Sequence, residues 1–250
     1  MNWGAPLARP SKETEPALNY QFDWQLVLSG EYAQWLTDGV LVTLEISAVS
    51  LLLSLLLGTI VAVMRMTRFK PLEWLGLAYT EFFRNTPLLV QIYFWYFGSS
   101  QVLPDVINKW LYAHDFEFAA GVISLTVYTS AFIAEEIRSG IFSIPKNQLE
   151  ASRAIGLSFI QAYRYVILPQ AFRIIIPPLI SQALNLIKNS SLVMVIGVMD
   201  IFYMAKQIES YSFHGFEAFT VATLIYLSIS LVVSLCINLY DKHYLRQISY

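Results

Sequence analysis

The chain has 250 residues, of which 56% are hydrophobic and only 14% are charged, and its net charge is −2. A chain this apolar cannot cover itself with a water-facing surface, so its composition excludes an ordinary soluble domain and predicts a membrane protein. The small negative charge also argues against a nucleic-acid-binding protein, whose surface is strongly basic. We therefore expect membrane lipid, and no nucleic acid, among its partners.

Five apolar runs predict an all-α integral membrane fold with five transmembrane helices. Crossing the hydrocarbon core of a bilayer takes about 20 mostly apolar residues in a helix. The opening residues are polar and lack the basic stretch and short apolar core of a cleavable signal peptide, so we expect the first run to stay as a span. The runs cover residues 36–64, 80–103, 118–137, 174–199 and 217–240.

Lysine and arginine residues are distributed unevenly between the two sides of the predicted spans. Eleven lie on one side and four on the other, while Lys188 lies within a span. Because basic loops are retained in the cytoplasm, this bias places the N-terminus outside and the C-terminus inside. Residues 1–35 are then an external segment, 36–240 the transmembrane domain with a cytoplasmic loop at 138–173, and 241–250 a cytoplasmic tail.

Polar side chains near the middle of the spans are candidates for a transport pathway, because they are costly in lipid. A lysine at the bilayer centre costs about 2.5 to 3.5 kcal/mol on insertion scales, so we expect Lys188 to face the bundle interior or a cavity. A substrate carboxylate would be a suitable partner, which favours glutamate or aspartate over glutamine or arginine. Alternatively, these groups only hydrogen-bond helix to helix. The candidate substrate-binding residues are Gln91, Tyr128, Thr129, Ser130, Lys188, Asn189 and Ser190.

Three prolines lie near the predicted cytoplasmic ends of spans. Pro87, Pro177 and Pro178 either mark simple helix entry or permit bends between inward-open and outward-open states. Both interpretations stay open at the level of sequence.

The polar loop before the fourth span predicts a first short helix. Pro145 suits the first turn of a helix, because it has no N–H to leave unpaired there. Gly156 suits the left-handed residue that ends a helix. We therefore expect a helix over residues 145–155.

The same loop predicts a second short helix directly afterwards. Ser158 and Gln161 have the spacing of a capping box, which predicts a helix from there to about residue 167. Pro169 lacks a backbone donor, so we expect it to close the unit before the next span begins. Helices this short are marginal in water, so they should pack on span ends or on a partner.

This loop resembles the EAA loop of ABC importer permeases, whose consensus is E-A-A, three residues, G, nine residues, then I-x-L-P. The resemblance implies a type I ABC importer permease fold, in which the loop is a coupling helix that docks on a cytoplasmic ATPase. Ser152 replaces the third consensus residue and Val166 replaces the isoleucine. The residues that the resemblance assigns to ATPase coupling are Glu150, Ala151, Ser152, Gly156, Leu168 and Pro169.

Three further segments resemble the polar amino-acid branch of these permeases, and glutamate/aspartate permeases most of all. They are EFFRNTPLLVQ (81–91), YTSAFIAEEIRSGI (128–141) and NLIKNSSLVMVIGVMD (185–200). The resemblance implies a permease subunit in the bacterial cytoplasmic membrane. The implied partners are ABC ATPase subunits, a second copy or a related permease chain, an external solute-binding protein and an amino-acid substrate.

The sequence contains no motif that predicts ATP binding, catalysis or metal binding by this chain. It has no G-x-x-x-x-G-K-[ST] phosphate loop, so ATP and Mg are expected on the partner ATPase and no cofactor on this chain. There is no G-x-S-x-G nucleophile elbow, and we expect no catalytic residue. His114, His214 and His243 stand apart, so no metal site is expected.

Two other functional classes stay open from the residues alone. One is a secondary transporter or channel for small polar solutes, and the other is a receptor or assembly protein. The first is disfavoured because no acidic residue lies at mid-span to carry a coupling proton. Dependence of uptake on ATP hydrolysis separates both from an ABC importer.

Overall fold

The structure is a computed structural model that describes residues 20–102, 104–113 and 115–240. Within these residues it contains helices and no strand, which confirms the predicted all-α class. The predicted cytoplasmic tail and most of the predicted external segment lie outside the described residues, as do His114 and His243.

Eleven α-helices lie in the described residues, with a π-helical segment between the eighth and the ninth and a 3-10 segment after the ninth. They are α1 (Trp24–Leu28), α2 (Gly30–Met66), α3 (Lys70–Arg84), α4 (Leu88–Val102), α5 (Asp105–Ala113), α6 (Phe116–Phe142), α7 (Lys146–Ala154), α8 (Phe159–Ala162), α9 (Leu168–Asn189), α10 (Ile201–Ser212) and α11 (Gly215–Tyr240). The π segment is Tyr163–Ile167 and the 3-10 segment is Ser190–Ile196.

Four helical stretches in the described residues are long and apolar enough to cross a membrane. A shorter apolar helix, Leu88–Gly98, lies within α4. The prediction of five spans therefore stays a prediction. The four long stretches are Gly30–Met66, Phe116–Phe142, Phe159–Ile196 and Gly215–Leu235.

The second predicted span, residues 80–103, is broken between α3 and α4, so its prediction as one continuous helix is wrong. The break falls just before α4, where Pro87 has no N–H to donate to a preceding turn. Side chains bond the end of α3 instead: Asn85 Nδ2 donates to the Glu81 carbonyl at 2.7 Å, and the Thr86 hydroxyl donates to the Phe82 carbonyl.

The fourth predicted span begins earlier than expected, because Pro169 does not end the preceding helix. Helix continues from Phe159 to Ile196, and Pro169 lies in the first turn of α9. The π segment before it widens the helix, with the Leu168 N–H donating to the Tyr163 carbonyl five residues back. The prediction that Pro169 closes a separate unit is therefore wrong.

The other two prolines of this helix lie within α9 and not at its start. Simple helix entry is therefore the wrong interpretation for Pro177 and Pro178, whereas Pro87 directly precedes α4 and fits it. Each interior proline removes a backbone donor, which weakens the helix locally and permits a bend.

Close packing of long helices holds the bundle together, and glycines allow the closest approaches. A Cβ on Gly58 of α2 would lie 2.7 Å from Ile133 Cγ2 of α6. A Cβ on Gly140 of α6 would lie 2.3 Å from Ile175 Cγ1 of α9. Small residues at helix contacts are the usual means of packing helices in a membrane, where no hydrophobic effect drives helices together.

Candidate functional site

Three of the predicted substrate-binding residues, Lys188, Asn189 and Ser190, lie where α9 passes into the 3-10 segment. Ser190 is fully buried and its hydroxyl donates to the Ile187 carbonyl at 2.8 Å. Lys188 is exposed, and Asn189 is partly exposed. This chain's own helices therefore do not enclose Lys188, contrary to the expectation of a bundle interior. A cavity around it requires a second protein surface.

The predicted residues of the third span lie on α6, and Ser130 already has partners there. Its hydroxyl oxygen lies 2.7 Å from that of Tyr79 in α3, and Tyr79 also donates to the Val127 carbonyl at 3.1 Å. Thr129 is 3% exposed, and Tyr128 packs its ring against Phe132. The structure thus uses Ser130 to join two helices.

Gln91 is also engaged within the chain, at the break between α3 and α4. It is 4% exposed, and its side-chain amide donates to the carbonyls of Phe83 at 3.0 Å and Thr86 at 3.1 Å. These carbonyls belong to the broken turn, so Gln91 satisfies backbone acceptors that the break leaves free. The structure supports a helix-to-helix role for this side chain.

An ion-pair cluster joins the ends of α2 and α6. Glu135 accepts hydrogen bonds from Arg65 of α2 and from Arg138, whose Nη2 lies 2.6 Å from Glu135 Oε1. Because the cluster links the C-terminal ends of both helices, it brings together basic residues that the sequence placed on the cytoplasmic side.

The first helix of the predicted coupling loop forms as expected, as α7 with Pro145 at its N-cap. Its end is a Schellman motif. The Gly156 N–H donates to the Arg153 carbonyl at 3.1 Å, and the Leu157 N–H donates to the Ser152 carbonyl at 3.2 Å. Gly156 has a φ of 93°, which a residue with a side chain rarely adopts.

The start of the second helix also forms as expected. The Ser158 N–H donates to Gln161 Oε1 at 2.8 Å, and the Gln161 N–H donates back to the Ser158 hydroxyl at 3.3 Å. These two bonds are a complete capping box. They satisfy free backbone donors at the start of the long helix that follows α7.

The surface of this loop combines exposed charge with exposed apolar groups. Glu150 and Ala151 are exposed on α7, whereas Ser152 is 4% exposed and donates to the Leu149 carbonyl. Beyond α7, the side chains of Ile155 and Ile160 are 79% and 76% exposed. Exposed apolar side chains grouped in one loop are typical of interaction surfaces.

Sequence reasoning missed two fully buried acidic residues. Asp200 accepts from the Tyr203 N–H at 2.9 Å and from the Tyr226 hydroxyl at 2.8 Å. Glu217 accepts from the Tyr20 hydroxyl and from the Asp23 N–H, the latter at 2.8 Å. A signal was present, since Glu217 begins one predicted span and Asp200 directly follows another.

The comparison with protein families decides the class of this chain. Residues 54–246 match the model for the binding-protein-dependent transport system inner membrane component. The chain belongs to this family. As such it is a membrane permease, and neither a channel nor a secondary transporter, the main alternative left open by the sequence.

Relatives of known type agree with this class. The chain is 46% identical over 205 residues to the probable glutamine ABC transporter permease protein GlnM of Bacillus subtilis, covering 82% of this chain and 91% of that protein. It is 36% identical over 216 residues to the glutamate/aspartate import permease protein GltJ of Escherichia coli, covering 84% and 87%.

A solved structure agrees with the fold. The crystal structure of an amino acid ABC transporter with histidines superposes with a TM-score of 0.80 at 31% identity, covering 90% of this chain and all of the matched chain. The chain is thus the permease subunit of an ABC amino-acid importer with a type I permease fold, and ATP hydrolysis is done by separate ATPase subunits.

Proposed function

We propose that this permease imports an acidic amino acid, glutamate or aspartate, and that Lys188 and Asn189 contact it during passage, whereas the buried Ser190 lies behind them. The observation that carries the proposal is the exposure of Lys188 between Leu186 and Ser190, which are both buried. Lys188 makes no ion pair within the described residues. A cation placed in a membrane span needs a partner or water, and a substrate carboxylate supplies the partner.

Glutamine is the second candidate substrate. It is favoured by the similarity to GlnM, whose name gives glutamine as its probable substrate. Glutamine carries one carboxylate and glutamate carries two, so both can pair with Lys188. The second carboxylate of glutamate favours it, because the neighbouring Asn189 and Ser190 are neutral and add no repulsion.

A second permease chain completes the pore in this proposal. Lys188 lies on a surface that this chain leaves uncovered, so a pore around it needs another copy or a related permease on the opposite side. GltJ and the related GltK of Escherichia coli are both glutamate/aspartate import permease proteins, which supports a pair of related chains.

The loop of α7 and α8 docks the ATPase in this proposal. Its support is the exposure of two apolar side chains, Ile155 and Ile160, and of the Glu150 carboxylate on the same loop. The rigid Schellman and capping-box turns allow the loop to transmit movement from the ATPase to α9. ATP and Mg are then held by the ATPase subunits and not by this chain.

The proposed membrane placement follows from the assignment of transport to this chain and of ATP hydrolysis to separate ATPase subunits. The chain lies in the bacterial cytoplasmic membrane with its N-terminus outside, where an external solute-binding protein delivers the amino acid. The ion-pair cluster of Arg65, Glu135 and Arg138 then lies near the cytoplasmic boundary, on the same side as the ATPase.

Uptake into proteoliposomes tests the substrate assignment. The vesicles contain the permease with its ATPase, and the loaded binding protein is supplied on the outside. Labelled glutamate, glutamine and arginine are compared with and without internal ATP. Faster ATP-dependent uptake of glutamate supports the proposal, faster uptake of glutamine supports the second candidate, and preference for arginine contradicts both.

A further inference from the structure

A buried carboxylate ties the first described residues of the chain to the start of α11. Glu217 is fully buried, and it accepts hydrogen bonds from the Tyr20 hydroxyl and from the Asp23 N–H, the latter at 2.8 Å. The Asp23 side chain caps α1, because it accepts from the Leu26 N–H at 3.0 Å. Residues 20–24 are therefore held as a strap at the N-terminal end of α11.

The strap contributes aromatic rings that group around Phe216 in the first turn of α11. The ring centroid of Phe216 lies 5.4 Å from that of Phe22 and 6.1 Å from that of Trp24. The Phe22 and Trp24 rings stack with their centroids 6.3 Å apart. All three side chains are between 39% and 59% exposed. This aromatic cluster of Phe22, Trp24 and Phe216 is the kind of exposed apolar patch that indicates a binding partner.

The aromatic cluster continues an exposed face of α11. Leu224, Leu227 and Leu231 are all exposed, and their helical spacing places them on the same side of α11 as Phe216. Glu217 is the only charged residue in the sequence of α11 and is buried, so this face carries no charge. Since α11 is long and apolar enough to cross a membrane, lipid is the environment that suits this face.

The length of this face places the aromatic cluster at the edge of the hydrocarbon core. At about 1.5 Å per residue, Phe216 lies about 28 Å along α11 from the exposed Leu235, and the hydrocarbon core is about 30 Å thick. With Leu235 at one boundary of the core, Phe216 lies at the other. Tryptophan is enriched at this level of a membrane, where one end of its ring system meets apolar chains and the other meets water.

A shallow groove runs from the aromatic cluster along α11. Its volume is about 430 Å³, and it is lined by Gly215, Phe216, Phe219, Thr220, Thr223 and Leu224. The Thr223 hydroxyl donates to the Phe219 carbonyl of its own helix at 2.7 Å, so the groove offers mainly apolar surface. An extended acyl chain has the shape and the polarity that such a groove accepts.

We propose that the aromatic cluster binds a phospholipid at the membrane interface, with an acyl chain along the groove of α11 and the headgroup beside the strap. A lipid suits this surface better than a folded protein does, because the face is uncharged and matches the thickness of the hydrocarbon core. The bound rings set the depth at which α11 begins, and Glu217 ties the strap to that depth. This inference does not depend on the role of Lys188.

Fluorescence quenching by lipids tests the inference in the permease–ATPase complex. The complex is reconstituted in nanodiscs of phosphatidylethanolamine and phosphatidylglycerol, a fraction of which carries a nitroxide either at the headgroup or midway along an acyl chain. Cys236 is the only cysteine in the chain, so a Cys236→Ser background allows one fluorescent label at a new cysteine. We expect a label on Phe22→Cys to lose emission mainly to headgroup nitroxides.

Three further labelled positions supply the controls. Leu224→Cys lies deeper along the proposed lipid-facing side and should lose emission mainly to acyl-chain nitroxides. Asn147→Cys lies on the exposed surface of α7, in the polar loop, and should lose emission to neither. Should Phe22→Cys disturb the rings, Leu28→Cys takes its place, because exposed Leu28 lies one helical turn after Trp24 on the same side of α1.

A ring-removal variant separates binding from mere proximity to lipid. With the label on Leu28→Cys, Phe216→Ala should reduce quenching by headgroup nitroxides, because it removes the ring that Phe22 and Trp24 contact. Phe213→Ala is the matched control, since Phe213 is an exposed aromatic residue close in sequence that lies outside the cluster. Equal quenching in these two variants would overturn the binding role of the rings.

Two further outcomes identify a different environment for the aromatic cluster. If aqueous iodide quenches the labels on Phe22→Cys and Leu28→Cys while neither nitroxide does, the surface faces water. If no quencher affects them, a protein covers the surface. Either result, obtained while Leu224→Cys is quenched by acyl-chain nitroxides, overturns the inference.

Discussion

The hydroxyl oxygens of Tyr79 and Ser130 lie 2.7 Å apart and join α3 to α6. Ser130 also donates to the Val127 carbonyl of its own helix at 2.9 Å. A serine that the sequence placed on the substrate pathway is thereby committed to a contact between helices. Its loss should affect stability more than selectivity.

Ser130→Ala is therefore expected to destabilise the permease by about 1 kcal/mol, the net value of a hydrogen bond, without changing the ratio of glutamate to glutamine uptake. Thermal unfolding and uptake in proteoliposomes are the measurements. Ser124→Ala is the control, because buried Ser124 bonds only the Gly121 carbonyl of its own helix. A changed uptake ratio in Ser130→Ala would place Ser130 back on the pathway.

Gly140→Ala is expected to destabilise the contact between α6 and α9. The added Cβ would lie 2.3 Å from Ile175 Cγ1, and overpacking of a close contact typically costs about 1 to 3 kcal/mol. Gly98→Ala is the control, because its Cβ would meet nothing closer than 3.6 Å. Equal melting temperatures for the two variants would contradict this prediction, because they would show that the contact between α6 and α9 accommodates the added methyl group without loss of stability.

Changes in the loop of α7 and α8 should uncouple the permease from its ATPase. Glu150→Lys reverses an exposed charge, and Gly156→Val places a β-branched residue at a φ of 93°. Both should reduce co-purification of the ATPase and ATP-driven uptake. Gly156→Asn should retain more ATPase association and more uptake than Gly156→Val, because asparagine tolerates left-handed backbone geometry better than valine. Normal uptake in Glu150→Lys and Gly156→Val would remove the docking role.

The positive-inside bias predicts the topology of the chain. A reporter fused after Tyr250 should be active in the cytoplasm, and one fused before Met1 should be active outside. A permease with both termini on one side would have an even number of spans, and the predicted five would be wrong.

Local sequence was sufficient to predict the features of the fold that depend on neighbouring residues. The helix α7, its end at Gly156 and the capping box of Ser158 with Gln161 all form, because each is closed by bonds within a few residues. Hydrophobic run length likewise predicted the long spans, since it reflects lipid and not a particular neighbour.

Features set by distant residues could not be predicted in this way. Pro169 continues a helix because the preceding turn is π-helical, which no local rule indicates. Asp200 is buried through contacts such as that of Ile201 with Thr43, 158 residues earlier. Lys188 is exposed on this chain, so the sequence predicts its charge, whereas its surroundings depend on contacts between residues far apart in the sequence.

The most direct test of the central claim is glutamate uptake by the Lys188→Met importer in proteoliposomes with its ATPase and loaded binding protein. Loss of a charge-assisted bond costs about 1.5 to 3 kcal/mol, so uptake should fall tenfold or more. Lys206→Met, which removes an exposed lysine from α10, is the control and should transport normally. Unchanged glutamate uptake in Lys188→Met would contradict the proposed contact between Lys188 and the substrate.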